Sequence, residues 1–126
     1  MAEQNRVELG KRGEAAAARY LTGLGYRLLE TNHRRRGGEV DLILLDGTTL
    51  VFCEVKTKMS ELSGHAAEGY RSKQQQRMRA LILRYLQRRP WEGPLRVDVI
   101  ALQKEGEGEM YRVHHYVDAL SFEDSW

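Results

Sequence analysis

The sequence predicts an α/β domain, a central mixed β-sheet flanked by helices in the order αβββαββ. Three observations carry that prediction. An alanine-rich helical segment opens the chain, two Val/Ile/Leu-rich segments meet at Asp46-Gly47, and an amphipathic helix separates them from two later strand segments. The hairpin signal makes part of the sheet antiparallel, and the intervening helix supplies a crossover.

Each element has a local cause. Val7 to Leu24 carries an alanine run that favours helix, and Gly23 and Gly25 punctuate its end. Tyr26 to Asn32 reads as a short strand, closed by the Gly37-Gly38 break. Glu39 to Leu45 and Thr48 to Thr57 are rich in Val, Ile, Leu, Phe and Thr, with Asp46-Gly47 as a two-residue turn. Ser60 to Gly69 is expected to be a mobile loop. Ser72 to Arg88 is a second helix, because Met78, Leu81, Ile82, Tyr85 and Leu86 recur along one face. Pro90 and Pro94 end it. Leu95 to Leu102 and Met110 to Tyr116 complete the strands, with a turn around Gly106 and Gly108. The 126 residues are expected to form a single domain, with its core about 7–103 and a polar loop, last strand and tail over 104–126.

Composition excludes several classes. Hydrophobic residues make up 41% and charged residues 30%, a soluble globular mixture, and no apolar run is long enough to cross a bilayer. Met1 to Arg12 lacks the apolar stretch of a secretory signal, and the single cysteine, Cys53, forbids an intrachain disulfide. A cytoplasmic protein without a membrane partner is expected. The net charge of +2 hides an uneven distribution. His33-Arg34-Arg35-Arg36 is basic, as is the stretch from Arg71 to Arg89, whereas the chain's end leans acidic. These cations fit phosphate contacts as well as an ordinary solvated helix face.

The hairpin carries the chemistry. A turn at Asp46-Gly47 would pair Leu45 with Thr48 and place Phe52 opposite Asp41 and Glu54 opposite Glu39. Side chains alternate along a strand, and opposed residues share a face. Asp41, Glu54 and Lys56 would then emerge together on one face, with Asp41 and Glu54 as diagonal neighbours. Val40, Leu42, Leu44, Val51, Cys53 and Val55 would form the dry face. Adjacent carboxylates repel and raise each other's pKa, a cost that a divalent cation removes. Oxygen ligands suit Mg²⁺ or Mn²⁺. Lys56 would hold a phosphate or orient a water. The same residues also suit an edge salt bridge, Glu54 or Glu39 with Lys56.

The run Gly38-Glu39-Val40-Asp41-Leu42-Ile43, followed by Leu50-Val51-Phe52-Cys53-Glu54-Val55-Lys56-Thr57, resembles the signature of the YraN-like family of bacterial proteins. That family is related to archaeal Holliday-junction resolvases and to restriction endonucleases, whose motif is an Asp, a spacer and Glu-x-Lys. Gly13-Glu14, Asn32-x-Arg34, Lys73 and Arg96-Val97-Asp98 extend the resemblance from about Gly10 to Leu102. It implies a restriction-endonuclease-like fold. It also implies Asp41 and Glu54 as metal ligands, Lys56 as the catalytic lysine, and Glu14 as a further acid reaching the metal. The helical position of Glu14, close to Leu21 and near Ala17 and Ala18, agrees with an inward direction.

Other candidates carry less. Arg34, Arg35, Arg36, Arg71 and Lys73 are expected to grip nucleic-acid phosphates. His114 and His115, adjacent on a strand, point to opposite faces and are expected to be structural. Cys53 is expected in the core, and Asp98 beside the site or paired with Arg96. The reading is a divalent-metal-dependent endonuclease acting on DNA, with branched DNA suggested by the resemblance alone. The alternatives are a non-catalytic nucleic-acid-binding module and a structural protein whose acids form ion pairs. A symmetric junction would call for a homodimer.

Overall fold

A computed structural model describes residues 2–35, 38–58, 64–106 and 110–119, without the side chains of 2–10, 34, 35, 58 and 64–72. The elements run α1 (Ala2–Gly23), β1 (Arg27–Arg35), β2 (Gly38–Asp46), β3 (Thr49–Lys58), α2 (Gly64–Arg88), β4 (Leu95–Lys104) and β5 (Tyr111–Tyr116). This is the expected αβββαββ order. Both helices begin earlier than apolar periodicity indicates. Ala2-Glu3-Gln4 and Ala66-Ala67-Glu68 are good helix formers without an apolar repeat in the sequence to announce them. Residues 64–69 are therefore helix rather than loop, and 59–63 lie outside the described residues.

The strands form one sheet in the order β1-β2-β3-β4-β5. β1–β2, β2–β3 and β4–β5 are antiparallel, and β3–β4 is parallel across the α2 crossover. Each helix covers one sheet face. Ala17 and Leu21 of α1 pack on Leu42, Leu44, Cys53, Ile100 and Leu102. Met78, Leu81, Ile82 and Tyr85 of α2 pack on Val40, Ile43, Leu50, Phe52 and Val97. Each such large side chain taken out of water stabilises the fold by roughly 1.5–3 kcal/mol, so the two layers hold the central strands from both sides.

The hairpin differs from expectation by two residues. Asp46 pairs with Thr49 and Leu45 with Leu50, so Gly47-Thr48 is the turn. Gly47 has φ +60, and Thr48 is not among the positive-φ residues. A single positive φ at the first central position is the II′ pattern; taking Asp-Gly as the central pair assumes I′. A shift of two preserves side-chain parity, so Ile43, Leu45, Leu50 and Phe52 share a face as expected. Alternation fails elsewhere. Val40 packs with Ile43 on the α2 side, while Leu42 packs on the α1 side. The break falls at Asp41-Leu42, across from Asn32, whose φ is +52. It turns Asp41 out of the face it was expected to share with Glu54.

Candidate metal centre

Glu14 reaches the sheet because Gly13 precedes it. A Cβ on Gly13 would overlap Thr57 Oγ1 and come within 3.3 Å of Thr57 Cβ. The bare glycine lets α1 lie against β3. Glu14 then meets Glu39 and Asp41: one carboxylate oxygen from each lies within 4.8 Å of the others, and all three residues are partly buried. Asn32 ties the group together. With its amide oriented as the hydrogen-bond network requires, its nitrogen donates to Glu39 Oε1 and Glu14 Oε2, both at 2.6 Å. Asn32 has a left-handed backbone, φ +52, a conformation asparagine tolerates better than most residues.

Asp41 sits where β2 and β3 part. Their ladder ends at the pair Leu42↔Cys53. Beyond it, the Val55 N–H donates to Asp41 Oδ2 at 2.8 Å, so a side chain replaces the next main-chain acceptor. Val55 is the middle residue of Glu54-Val55-Lys56, and the carboxylate of Asp41 is thereby docked on that segment. Burial pushes the Asp41 pKa up to about 7; the Val55 amide opposes the rise, and Glu14, Glu54 and Glu39 add to it. A cation would relieve that repulsion.

The donor set fits a hard divalent ion. Around an octahedral Mg²⁺ with ligands at about 2.0–2.1 Å, adjacent oxygens stand about 3 Å apart and opposite ones about 4.2 Å, and those of a larger ion farther. Carboxylate oxygens within 4.8 Å of one another can close to these spacings by side-chain rotation about a shared ion.

Glu54 takes a different partner. It lies on the α2 side, where Arg77 Nη2 donates to Glu54 Oε1 at 2.7 Å. Lys56 Nζ stands 3.7 Å from the same oxygen, so the edge ion pair that the sequence also suits is present. Asp41, Glu54 and Lys56 therefore do not project from one face. Asp41 lies where β2 and β3 part, between Glu14 and Glu39 of the α1 side and Glu54, Lys56 and Arg77 of the α2 side.

The other expected residues divide. Arg34 and Arg35 stand on β1 opposite Glu39 and Gly38, with their side chains outside the description. Arg36 lies outside the described residues, Arg71 is described only as helical backbone, and Lys73 is exposed on α2. Asp98 is fully buried and belongs to a separate network. It accepts from Arg96 Nε at 2.8 Å and from the Asp118 N–H at 3.0 Å, and pairs with His115 Nε2 at 2.8 Å. His115 is thus structural, as expected, and Cys53 is buried in the α1-side core. Sequence reasoning gives no site role to Asn32, Glu39 or Arg77. Glu39 does carry a signal, since i and i+2 residues of a strand share a face and Glu39 precedes Asp41 by two. Arg77 carries none beyond its place in a basic stretch.

Element order, crossover and hairpin define an α/β domain of the restriction-endonuclease-like class, with an acidic cluster that can hold a metal ion. Residues 13–102 match the sequence profile described as Uncharacterised protein family UPF0102, and the chain belongs to that family. A UPF0102 protein of Pelotomaculum thermopropionicum is 41% identical over 121 residues, covering 95% of this chain and 100% of the relative. One from Herpetosiphon aurantiacus is 43% identical over 103 residues, covering 78% and 83%. One from Frankia casuarinae is 42% identical over 108 residues, covering 85% and 91%. Among the described residues, no helix is long and apolar enough to cross a membrane.

Proposed function

We propose that this chain is a divalent-metal-dependent nuclease that cuts DNA phosphodiesters in the cytoplasm. The observation that carries the reading is the docking of Asp41, with Glu14 and Glu39 beside it, onto the amide between Glu54 and Lys56. Glu14, Glu39 and Asp41 would hold Mg²⁺ or Mn²⁺. A bound ion supplies charge that neutralises the phosphate and acidifies a water. Lys56, part-buried at the same strand end, offers an ammonium for a phosphate oxygen. Lys73 and the arginines of 34–36 and 71 would contact neighbouring phosphates, giving salt-dependent affinity and little sequence choice. Branched DNA is the favoured substrate because of the resemblance to resolvases, and a symmetric junction would be met by a homodimer.

A second reading, a nucleic-acid-binding module that does not cut, draws on the engagement of Glu54 by Arg77 rather than by the acidic cluster. One comparison separates the two. Wild type and Asp41→Ala are incubated with linear duplex, single-stranded and four-way-junction DNA, in Mg²⁺, Mn²⁺ or chelator. Cleavage by wild type that disappears with chelator and with the substitution supports the nuclease. Cleavage that survives either removes the mechanism, and tight binding without cleavage selects the module.

A further inference from the structure

Arg77 stands in a built position. Its stem crosses the backbone of β2 at Gly38, where a Cβ would come within 3.3 Å of Arg77 Cδ. Gly38 has φ +148, a conformation that itself favours glycine. The stem thus runs close over the strand at a glycine, and the guanidinium reaches Glu54 on β3. Nη2 lies 2.7 Å from Glu54 Oε1, and the Glu54 side chain is only 9% exposed while that of Arg77 is 37% exposed. Arg77 Nε is buried with no hydrogen-bond partner among the described residues. The contact leaves one guanidinium donor unsatisfied, so the conformation is held by the charge pair rather than by a complete hydrogen-bond set. On the other side of the strand end, Asp41 collects two further acids.

We infer that Arg77 is an internal competitor for the divalent ion, a positioning residue that holds Glu54 in the metal-free protein and must release it before Glu54 can join Asp41. The inference rests on the metal-centre reading above. It follows from charge. Glu54 is a strong oxygen donor beside the cluster, and a guanidinium on its Oε1 both holds the carboxylate toward α2 and adds positive charge that opposes a second cation. Arg77 therefore sets a threshold for metal loading. A merely structural arginine would do the reverse, since its loss would loosen the site and weaken binding.

The test measures Mn²⁺ affinity by calorimetry on the full chain, with folding followed by circular dichroism. Arg77→Met is expected to bind Mn²⁺ about threefold to tenfold tighter than wild type, from the loss of one competing charge. Arg77→Lys keeps the charge without the fork and is expected to fall between them. In a Glu54→Gln background the Arg77→Met substitution is expected to have a much smaller effect, since the oxygen being contested is then neutral. Affinity in Arg77→Met equal to or weaker than wild type overturns the inference. If that variant loses its fold, Arg77→Lys decides the matter by the same direction of change. Wild type that binds Mn²⁺ with no tightening in the variants sinks this inference alone. A chain that binds no Mn²⁺ in any variant sinks the metal centre with it.

Discussion

Substituting Asp41 by asparagine should make the protein more stable at alkaline pH while removing its response to metal. The folded Asp41 carboxyl has a pKa pushed from 3.8 to about 7, chiefly by burial and then by neighbouring acids. Between those two values the folded chain binds one more proton at this site than the unfolded chain does. Stability from this group is therefore fully present below the unfolded pKa and is lost as pH rises toward 7. At ~1.4 kcal/mol per pKa unit the ceiling is about 4 kcal/mol, and solvent screening of a partly exposed group is expected to halve it to ~2 kcal/mol. The substituted amide would keep an acceptor for the Val55 N–H and offer a donor toward Glu14 and Glu39. Urea denaturation from pH 5 to 8.5 checks this. Asp41→Asn should exceed wild type at pH 8 by ~2 kcal/mol, roughly 6–10 °C in Tm for a chain of this size. Mn²⁺ should stabilise wild type and leave the variant unmoved. Asp41→Asn less stable than wild type at pH 8 would refute the electrostatic account.

Substitutions at Gly13 and at Asp98 probe the scaffold. Gly13→Ala gains ~1 kcal/mol of helix propensity, but its methyl overlaps Thr57 Oγ1, and such overpacking costs about 1–3 kcal/mol. Net destabilisation of ~1 kcal/mol and a weaker Mn²⁺ shift are expected in thermal melts, with partial recovery in Gly13→Ala/Thr57→Ala; a variant as stable as wild type would mean that α1 is not wedged there. Asp98→Ala removes the buried acceptor of Arg96 Nε, while Asp46 and the Tyr26 hydroxyl still engage that guanidinium, so the loss is expected near the low end of the about 3–5 kcal/mol typical of breaking a buried ion pair. Burial alone would raise the Asp98 pKa, yet the hydrogen bonds from Arg96, the Asp118 amide and His115 bring it below 3.8. Its stabilisation is thus present above that value and lost as pH falls through the lowered pKa. Acid titration should show Asp98→Asn already weakened at neutral pH, with a shallower loss than wild type under acid conditions.

Much of this arrangement is legible from sequence because it depends on local signals. The periodicity of Met78, Leu81, Ile82 and Tyr85 gives α2 its buried face, and the paired strand segments give the hairpin. Glu14 and Asp41 are each identifiable as acids directed toward one place, and the structure brings their carboxylates together. The turn register is ambiguous because Asp46-Gly47 and Gly47-Thr48 both suit a two-residue hairpin, and the choice depends on whether glycine is first or second. The shift of two leaves the faces intact, an error that parity conceals. The break in alternation at Asp41 has a different origin. It falls across from Asn32, whose left-handed backbone lies on another strand, and beside an amide on β3 taken by a side chain. No window along β2 contains either partner. Arg77 is harder still: it meets Glu54 across the crossover, 23 residues away.

The parting of β2 and β3 links these observations. In a continued ladder, the Val55 amide would meet a main-chain carbonyl of β2 and Asp41 would lie on one face like its neighbours. With Asp41 Oδ2 taking that amide, the carboxylate is fixed where the two strands part, with acids from α1 and β2 on one side and Glu54 on the other. The substitution satisfies a buried donor, which fixes the geometry, while it concentrates negative charge in a partly desolvated place, which costs stability. A ladder bond would have satisfied the same amide without that charge. A bound cation would offset that penalty, so the same contact that positions the acids would also make the folded state more stable in the presence of metal.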